Sequence, residues 1–372
     1  MSSSVNQLLL ACARTNASPA RIRSLTSQPI DWNYFFLLAR RHAVVPLVYR
    51  QLKDHVPAEQ LQQLRKHALE NSARNVVLTA ELCRLIGLFA RAGIKAIPYK
   101  GPILSLFAYD DLALRCFVDL DVIVKKPDVA RARDLLLADD YTLSKPLTTE
   151  QQELLLRTQH NLQFTKDNRR LIVELHWEVA PHLFASTVQG HTLWENLIDF
   201  ELNGTTMKTF SADDLLFSLC VHGSRHLWER LGWICDVAEL ISRRNLNWTA
   251  LLERAAKADA ERMFLLGLRL AERLLDAPLP AEVKHLCDRD RRLEPLALTV
   301  TANLFKSSEH VPATAVQIFK YNLGVRKSLS ARTRYVVHML RPTDGDITNH
   351  SLPAFAYYLV RPFRLLFRTG NH

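Results

Sequence analysis

Two short segments in which apolar and polar residues alternate are the strongest constraint on the fold of this chain. They cover 116–124 and 171–179, and both lie within residues 93–210. Alternation with a period of two is typical of strands that bury one face of a sheet. On either side of this middle region, apolar residues recur every three or four positions, which is typical of helices. We therefore predict an α+β fold, with a small mixed β-sheet core flanked by N-terminal and C-terminal helical regions.

The flanks and the core divide the 372 residues into three predicted regions. The first is helical and covers 1–92, because Gly93 provides the left-handed residue that commonly ends a helix. The α/β core covers 93–210. The second helical region covers 211–372, and it begins at Ser211, an N-cap residue followed by two acidic residues in the first turn.

The core is expected to contain a hairpin. The segments 161–165 and 171–179 flank a polar turn at 166–169, which is a strong hairpin signal. Thr148 and Gln151 have the spacing of a capping box at the start of a helix. Further predicted elements are strands at 94–98, 116–124 and 141–143, and helices beginning at Ile103 and Pro127.

The chain is basic, with a formal net charge of +10 and an isoelectric point of about 9.4. A basic chain favours polyanionic partners, namely nucleoside triphosphates, nucleic acid or an anionic membrane surface. Solvated helix faces explain the same charge equally well, because Arg and Lys are spread along the chain. Aromatic residues do not interleave with the basic residues as they do on RNA-binding surfaces.

The six cysteines and the N-terminus bear on the compartment. No two cysteines have the spacing of a zinc knuckle or a redox pair, so we expect free thiols in a reducing environment. Residues 1–6 lack the basic segment of a secretory signal, and no window reaches about eighteen consecutive apolar residues. We therefore expect a soluble, cytoplasmic protein without a transmembrane segment.

An acidic pair in the first alternating segment carries the first chemical signal. In a strand, Asp119 and Asp121 lie on one face. The opposite, core-facing side would carry Val118, Leu120 and Val122. Two adjacent buried carboxylates repel each other unless a cation compensates them, and Mg²⁺ prefers carboxylate and triphosphate oxygens together. An acidic pair on a solvent-exposed strand is the alternative explanation.

The second alternating segment adds a third carboxylate. It places Glu174, His176 and Glu178 on one face, and Glu174 joins the acidic pair if the two strands are adjacent. Three convergent carboxylates can hold two metal ions, which clamp the attacking and leaving oxygens of a phosphoryl transfer. Glu178 is the weaker candidate, because it can lie beyond the strand end. His176 either orients a carboxylate, contacts substrate or has a structural role.

A turn formed by Lys100 and Gly101 lies between a predicted strand and a predicted helix, one helix before the acidic strand. Glycine lets a backbone approach a phosphate closely, the start of a helix favours an anion, and Lys100 adds a positive charge. Arg115 lies just before the acidic strand, where it can reach a triphosphate or pair with Asp110 or Asp111.

Together these motifs resemble an uncharacterised bacterial nucleotidyltransferase family within the superfamily that includes DNA polymerase beta. The pattern of that family is KG, then R-x-x-x-D-x-D-x-x-V, then E-L-H-W. Residues 41–47 and 222–236 also match its helical segments, so the resemblance covers most of the chain. The matching core residues are Lys100, Gly101, Arg115, Asp119, Asp121, Val124, Glu174, Leu175, His176 and Trp177.

The resemblance implies transfer of a nucleoside monophosphate from an NTP such as ATP, with Mg²⁺ as the cofactor. Asp119, Asp121 and Glu174 would be the catalytic acids. Asp119 and Asp121 would be metal ligands, and Glu174 would activate the acceptor hydroxyl or share a metal. The residues that it implies for nucleotide binding are Lys100, Gly101, Arg115 and His176.

Two departures from the superfamily concern the phosphate turn. Pro102 replaces the usual serine, which removes a hydroxyl and a backbone donor, and the gap from Gly101 to Asp119 is longer than usual. The resemblance does not supply the acceptor, and a small molecule, a protein or an RNA end all fit. The alternative function is a non-catalytic module that binds a nucleotide or a partner on the same fold, and Pro102 is its best support.

Three further features of the sequence are weighed against a purely structural explanation. His222 and His226 have the i, i+4 spacing of a zinc pair, but no third ligand is evident, so core packing or a helix over the site explains them better. The basic, apolar tail at 355–368 suits an anionic membrane surface or docking on the protein itself, and Pro362 favours docking. The tryptophans expected in the core are Trp228, Trp233 and Trp248.

Overall fold

The computed structural model describes residues 4–145, 148–179, 194–306 and 314–339. It confirms the predicted α+β architecture, because a five-stranded mixed sheet and a separate two-stranded sheet lie among helices. One hydrophobic core runs through all the described parts, from Val5 near the N-terminus to Val325. The division into three regions stays a prediction, and the tail at 355–368 lies outside the described residues.

Five helices precede the sheet. They are α1 (Ser4–Cys12), α2 (Pro19–Thr26), α3 (Trp32–Arg41), α4 (Val45–Leu52) and α5 (Gln62–Arg91). The longest is α5, with 30 residues, and its buried positions recur every three or four residues as packing of one helix face requires.

The five-stranded sheet has the order β1-β2-β5-β4-β3. Its strands are β1 (Ala96–Pro98), β2 (Leu120–Val124), β3 (Thr142–Leu143), β4 (Asn161–Lys166) and β5 (Leu171–His176). β2 and β5 pair in parallel, and the other neighbours are antiparallel. The predicted hairpin is confirmed as β4 and β5. Since β5 ends at His176, Glu178 lies beyond the strand.

The acidic strand is shorter than predicted, because β2 begins at Leu120 rather than at Cys116. The neighbouring strands pair only with Leu120 and later residues, so 116–119 has no ladder beside it. The prediction that Val118 faces the core is therefore wrong, and this side chain is 51% exposed.

Two buried amides on α5 hold the loop that leads into β2. The side-chain nitrogens of Asn71 and Asn75 donate hydrogen bonds of 2.6 to 3.1 Å to backbone carbonyls of this loop. Both amides reach the carbonyl of Arg115. These bonds satisfy backbone groups that strand pairing leaves open.

Three helices complete the core: α6 (Gly101–Tyr109), α7 (Val129–Ala138) and α8 (Thr149–Thr158). The capping box at α8 is confirmed, with Thr148 and Gln151 bonded reciprocally. The helix predicted from Pro127 starts slightly later, since Lys126–Asp128 forms a single 3₁₀ turn first.

A second hairpin was not predicted from the sequence. β6 (Ile198–Leu202) and β7 (Thr205–Thr209) form it, and they are joined at Asn203 and Gly204. Both turn residues have positive φ, at 48° and 72°, as the tight hairpin turn requires. The Asn-Gly pair was the signal that could have revealed this hairpin.

The remaining helices follow the second hairpin. They are α9 (Ala212–Arg225), α10 (Leu231–Arg243), α11 (Trp248–Lys257), α12 (Glu261–Leu275), α13 (Ala281–Arg289), α14 (Leu293–Leu304), α15 (Ala315–Gly324) and α16 (Leu329–Met339). The N-cap predicted at Ser211 is confirmed. Trp228 is fully buried as predicted, whereas Trp233 and Trp248 pack against the core with part of each ring exposed.

His42 joins the N-terminal helices to the C-terminal ones. Its Nδ1 accepts a hydrogen bond of 3.2 Å from the backbone nitrogen of Leu231, and its Nε2 lies 3.1 Å from the carbonyl oxygen of Leu304. These contacts fit a neutral imidazole with its proton on Nε2. Burial and the nearby Arg41 lower the pKa of His42 to about 4.

All six cysteines are free thiols, as predicted. Among the described residues, no helix combines the length and the apolar character needed to cross a bilayer.

We expect Gly223→Ala to lower the free energy of unfolding by about 1 to 3 kcal/mol, as over-packing of a core does. A Cβ at Gly223 would lie 2.4 Å from the ring of Trp228. Gly87→Ala is the matched control, because its Cβ meets only the flexible end of Arg91 at 3.4 Å. That control should gain up to about 1 kcal/mol from helix propensity. Urea denaturation measures both, and equal stability of the two variants would contradict this packing.

The His42 contacts predict a pH dependence of stability. The folded-state pKa lies below the unfolded value, so the stabilisation is complete above about pH 6.5 and is lost as the pH falls towards 4. Between these values, the unfolding free energy of the wild type should fall more steeply than that of His42→Gln, by up to about 1.4 kcal/mol per pH unit. Other buried histidines titrate in both proteins and cancel in the difference. Parallel urea-denaturation profiles at pH 7, 6 and 5 would refute the prediction.

Candidate functional site

Asp121 and Glu174 face each other across two neighbouring strands. The parallel register of β2 and β5 pairs these two residues directly. Nε2 of His176 lies 3.1 Å from Oδ1 of Asp121 and 3.2 Å from Oε2 of Glu174. The three side chains therefore form one polar cluster, and His176 and Asp121 are almost entirely buried.

Lys100 provides the closest positive charge to this cluster. Its Nζ lies 3.0 Å from Oδ1 of Asp121, and it also lies 5.0 Å from the centre of the Tyr99 ring. Although burial opposes it, the Asp121 carboxylate raises the pKa of Lys100. The lysine is therefore charged, and it contacts the acidic cluster directly.

Gly101 starts α6 with a φ of 50°, a conformation that favours glycine. A Cβ at this position would lie 3.5 Å from the carbonyl oxygen of Asp119. The turn and the acidic segment are thus in direct contact, and the N-terminus of α6 begins beside the acids. Such helix starts favour anions.

Asp119 lies one residue before β2 and half-buried, and no described residue donates a hydrogen bond to its carboxylate. Burial and the carboxylates of Asp121 and Glu174 raise the pKa of Asp119 to about 6. The pKa of Asp121 moves the other way: burial opposes the change, but Lys100 and His176 lower it. Among the described residues, Asp121 is therefore paired with Lys100 and His176, whereas Asp119 has no such partner.

His176 holds two of the acids in place. Burial opposes its charged form, but hydrogen bonds to Asp121 and Glu174 raise its pKa. Asn161 and Gln163 on β4 also donate to Glu174, at 3.1 and 3.4 Å. Glu174 is consequently oriented by three side chains.

The donor set fits a hard divalent cation. Asp121, Glu174 and His176 bring one ligand atom each within 4.8 Å of one another, so they could hold a metal ion. Burial and the two neighbouring carboxylates favour the neutral form of Asp119, and a bound cation would offset both effects. Carboxylate oxygens are the ligands that Mg²⁺ prefers, and Nε2 of His176 is already engaged by two carboxylates. His176 thus contacts both Asp121 and Glu174, and the carboxylate oxygens match the ligand type that Mg²⁺ prefers.

A cleft of about 850 Å³ opens over these residues. Its walls come from α3, α5, the sheet and the segment around the end of α9 and the start of α10. The basic residues that line it are Arg40, Arg41, Arg74, Lys100, Arg115, Arg225 and Arg230. Such a surface attracts polyanions to the acidic cluster.

The model of a family described as "uncharacterised nucleotidyltransferase" matches residues 28–276, which is about two thirds of the 372 residues. The chain belongs to this family. The match includes the acidic cluster, the Lys100–Gly101 turn and the helices that line the cleft. No curated protein and no solved structure matches the chain significantly.

In this nucleotidyltransferase, Arg115 has a different partner from those considered in the sequence. Its Nε lies 3.0 to 3.1 Å from the carboxylate of Asp236, which also accepts a hydrogen bond of 2.8 Å from Tyr109. Asp110 pairs instead with Arg243, the last residue of α10, and with Arg244, which follows it. The interpretation that Arg115 pairs with Asp110 or Asp111 is therefore wrong. Arg115 still lines the cleft.

His222 and His226 line the cleft with Trp233, and the centres of the two imidazole rings are 4.6 Å apart. Within the described parts of the chain, neither belongs to a group of three metal-type ligands. A zinc pair is not supported. Trp228 lies in the core beneath them rather than in the cleft.

Sequence reasoning missed three polar residues beside Glu174: His160, Asn161 and Gln163. Nη1 of Arg225 lies 2.9 Å from Nε2 of His160, which links α9 to the start of β4. The alternation of Asn161 and Gln163 with buried Leu162 and Phe164 was visible in the hairpin, and it could have located the two amides.

The Arg115–Asp236 pair gives a stability prediction. Asp236→Leu leaves a buried guanidinium without its carboxylate and should cost about 3 to 5 kcal/mol of unfolding free energy. The double variant Arg115→Met with Asp236→Leu should recover most of this loss, because neither charge is left buried alone. Chemical denaturation of the two single variants and the double variant tests this. A double variant as unstable as the sum of the singles would show that the pair is not a buried ionic unit.

Proposed function

We propose that this family member is a Mg²⁺-dependent enzyme that transfers a nucleoside monophosphate from an NTP to a hydroxyl of an acceptor. The arrangement would be that of the superfamily that includes DNA polymerase beta. The observation that carries the proposal is the direct pairing of Asp121 with Glu174 beside the Lys100–Gly101 turn. A binding protein does not need three carboxylates gathered at a helix start.

The acids would hold the metal. Asp119, Asp121 and Glu174 supply the oxygens, and Mg²⁺, when bound, neutralises charge on the triphosphate and on the leaving pyrophosphate. Lys100 is close enough to share Asp121, and its charge supports the same phosphates. The N-terminus of α6 at Gly101 contributes backbone N–H groups, except at Pro102, which has none.

The transfer step can be written in terms of this chain's residues. The acceptor hydroxyl oxygen forms a bond to the α-phosphorus, and the bond from that phosphorus to the bridging oxygen of the β-phosphate breaks. The hydroxyl proton passes to the carboxylate of Glu174, and pyrophosphate leaves. His176, Asn161 and Gln163 keep Glu174 in position for the proton transfer.

The surroundings fit a nucleotide and an intracellular location. Arg41, Arg74 and Arg230 line the cleft, and no described carboxylate forms an ion pair with them. We assign this basic surface to the triphosphate and to shaping of the acceptor site.

Six free thiols suit the cytoplasm, and we place the protein there.

Asp119→Asn provides the sharpest test of this function. Removing one of three neighbouring charges relieves repulsion, so Tm in EDTA should rise, while the Tm increase produced by Mg²⁺ with an NTP should be largely lost. Asp134→Asn is the matched control, because it removes an acidic charge from an exposed position on α7. Both Tm values follow from differential scanning fluorimetry, with incorporation of α-labelled phosphate as the activity readout.

The alternative, a non-catalytic nucleotide-binding module, predicts a different result. Nucleotide would then stabilise Asp119→Asn and the wild type equally, and Mg²⁺ would make no difference. That outcome would exclude metal-assisted nucleotidyl transfer at this site.

A further inference from the structure

A second cavity meets the large cleft at Glu174. It has a volume of about 320 Å³, and it lies on the β4 side of the sheet. The two cavities share Glu174 with His160, Asn161 and Arg225. Glu174 is thus accessible from two sides, one of which holds Asp119 and Asp121 while the other does not.

The floor of this second cavity is the polar face of β4. Gln163 is the register partner of Glu174, and Asn161 is the partner of His176, so both amides share a sheet face with the acidic cluster. Leu162 is buried, and it lines the same cavity with Leu143 and Leu155, so part of the lining is apolar.

The two amides have hydrogen-bonding capacity left over. Their nitrogens donate to Glu174, and no described residue donates to Oδ1 of Asn161 or Oε1 of Gln163. The hydroxyl of Ser144, which also lines the cavity, is buried and has no hydrogen-bond partner among the described residues. A buried hydroxyl without a partner is costly unless a ligand or water satisfies it.

We propose that this cavity binds the acceptor, and that the acceptor is a small polyhydroxylated molecule of the sugar or cyclitol class. The inference rests on the proposed function and names its second substrate. Adjacent amide oxygens and a serine hydroxyl match ligand hydroxyls, which donate and accept in the same small space. A volume of about 320 Å³ admits one small ring, as small-molecule sites do.

The position of Glu174 explains why the two substrates need separate cavities. The nucleotide side holds Asp119, Asp121 and the Gly101 turn, and the β4 side holds the acceptor. One ligand hydroxyl reaches Glu174, attacks the α-phosphorus and gives its proton to this carboxylate, and pyrophosphate leaves on the nucleotide side. The product is a nucleoside monophosphate joined to the polyol through a phosphodiester.

The test is ligand-observed saturation-transfer NMR on the full chain, without nucleotide, using glucose, glucosamine and myo-inositol as probes and proline as a non-hydroxylated control. At least one polyol should show transfer, and proline should show none. Gln163→Met keeps the length of the side chain and removes its amide, and it should weaken polyol binding about tenfold, as loss of one to two hydrogen bonds does. Gln63→Met, on the exposed start of α5, is the matched control.

Asp119→Asn separates the two cavities in the same experiment. It should keep polyol binding, because Asp119 lines only the large cleft. Polyol binding lost in Asp119→Asn but kept in Gln163→Met would move the acceptor into the large cleft and overturn the proposal. Absence of transfer from every polyol would overturn it too.

Failure of the proposed function gives a different pattern. The wild type would then show no Mg²⁺-dependent stabilisation by an NTP, yet polyol binding that is sensitive to Gln163→Met would still establish the second cavity as a ligand site. A variant that loses both responses and also melts lower than Gln63→Met has lost its fold, and Gln163→Asn, which keeps the amide, should then restore binding.

Discussion

The parallel register between β2 and β5 is the constraint on which the site depends. It brings Asp121 against Glu174 in a buried part of the sheet, where two like charges are unfavourable without compensation. Lys100 and His176 provide part of that compensation, and each does so from a different element. Asp119 is left with a raised pKa, which burial and the two neighbouring carboxylates cause. The strand order, the Gly101 turn and the hairpin together keep the carboxylates of Asp119, Asp121 and Glu174 close to one another.

Local patterns in the sequence were enough to predict the fold class, the β4–β5 hairpin and the capping box of α8. They also indicated that the carboxylates of two strands could meet, because a period of two decides which face a side chain shares. They could not show where β2 begins, since this depends on which residues the neighbouring strands reach. The partner of Arg115 was also beyond local reasoning, because Asp236 lies 121 positions away along the chain.

The helical flanks contribute most of the basic residues that line the cleft. Arginines from α3 and α5 and the residues between α9 and α10 surround the acids, whereas the sheet supplies the acids themselves. The sheet thus supplies the acids that the proposed transfer would use, and the helices supply most of the basic residues around them. Gln163 connects the acidic cluster to the second cavity, because it donates a hydrogen bond to Glu174 and lines that cavity.

His42 has a consequence for how the chain matures during synthesis. Its two ring contacts are to residues 189 and 262 positions later in the sequence, and they fasten the arginine-bearing end of α3 to the far half of the molecule. The contact with Leu304 can form only after that residue has emerged from the ribosome, long after Leu231. The cleft wall that carries Arg40 and Arg41 is therefore fixed to the last part of the fold only late, although every residue that lines the cleft has been made by Trp233.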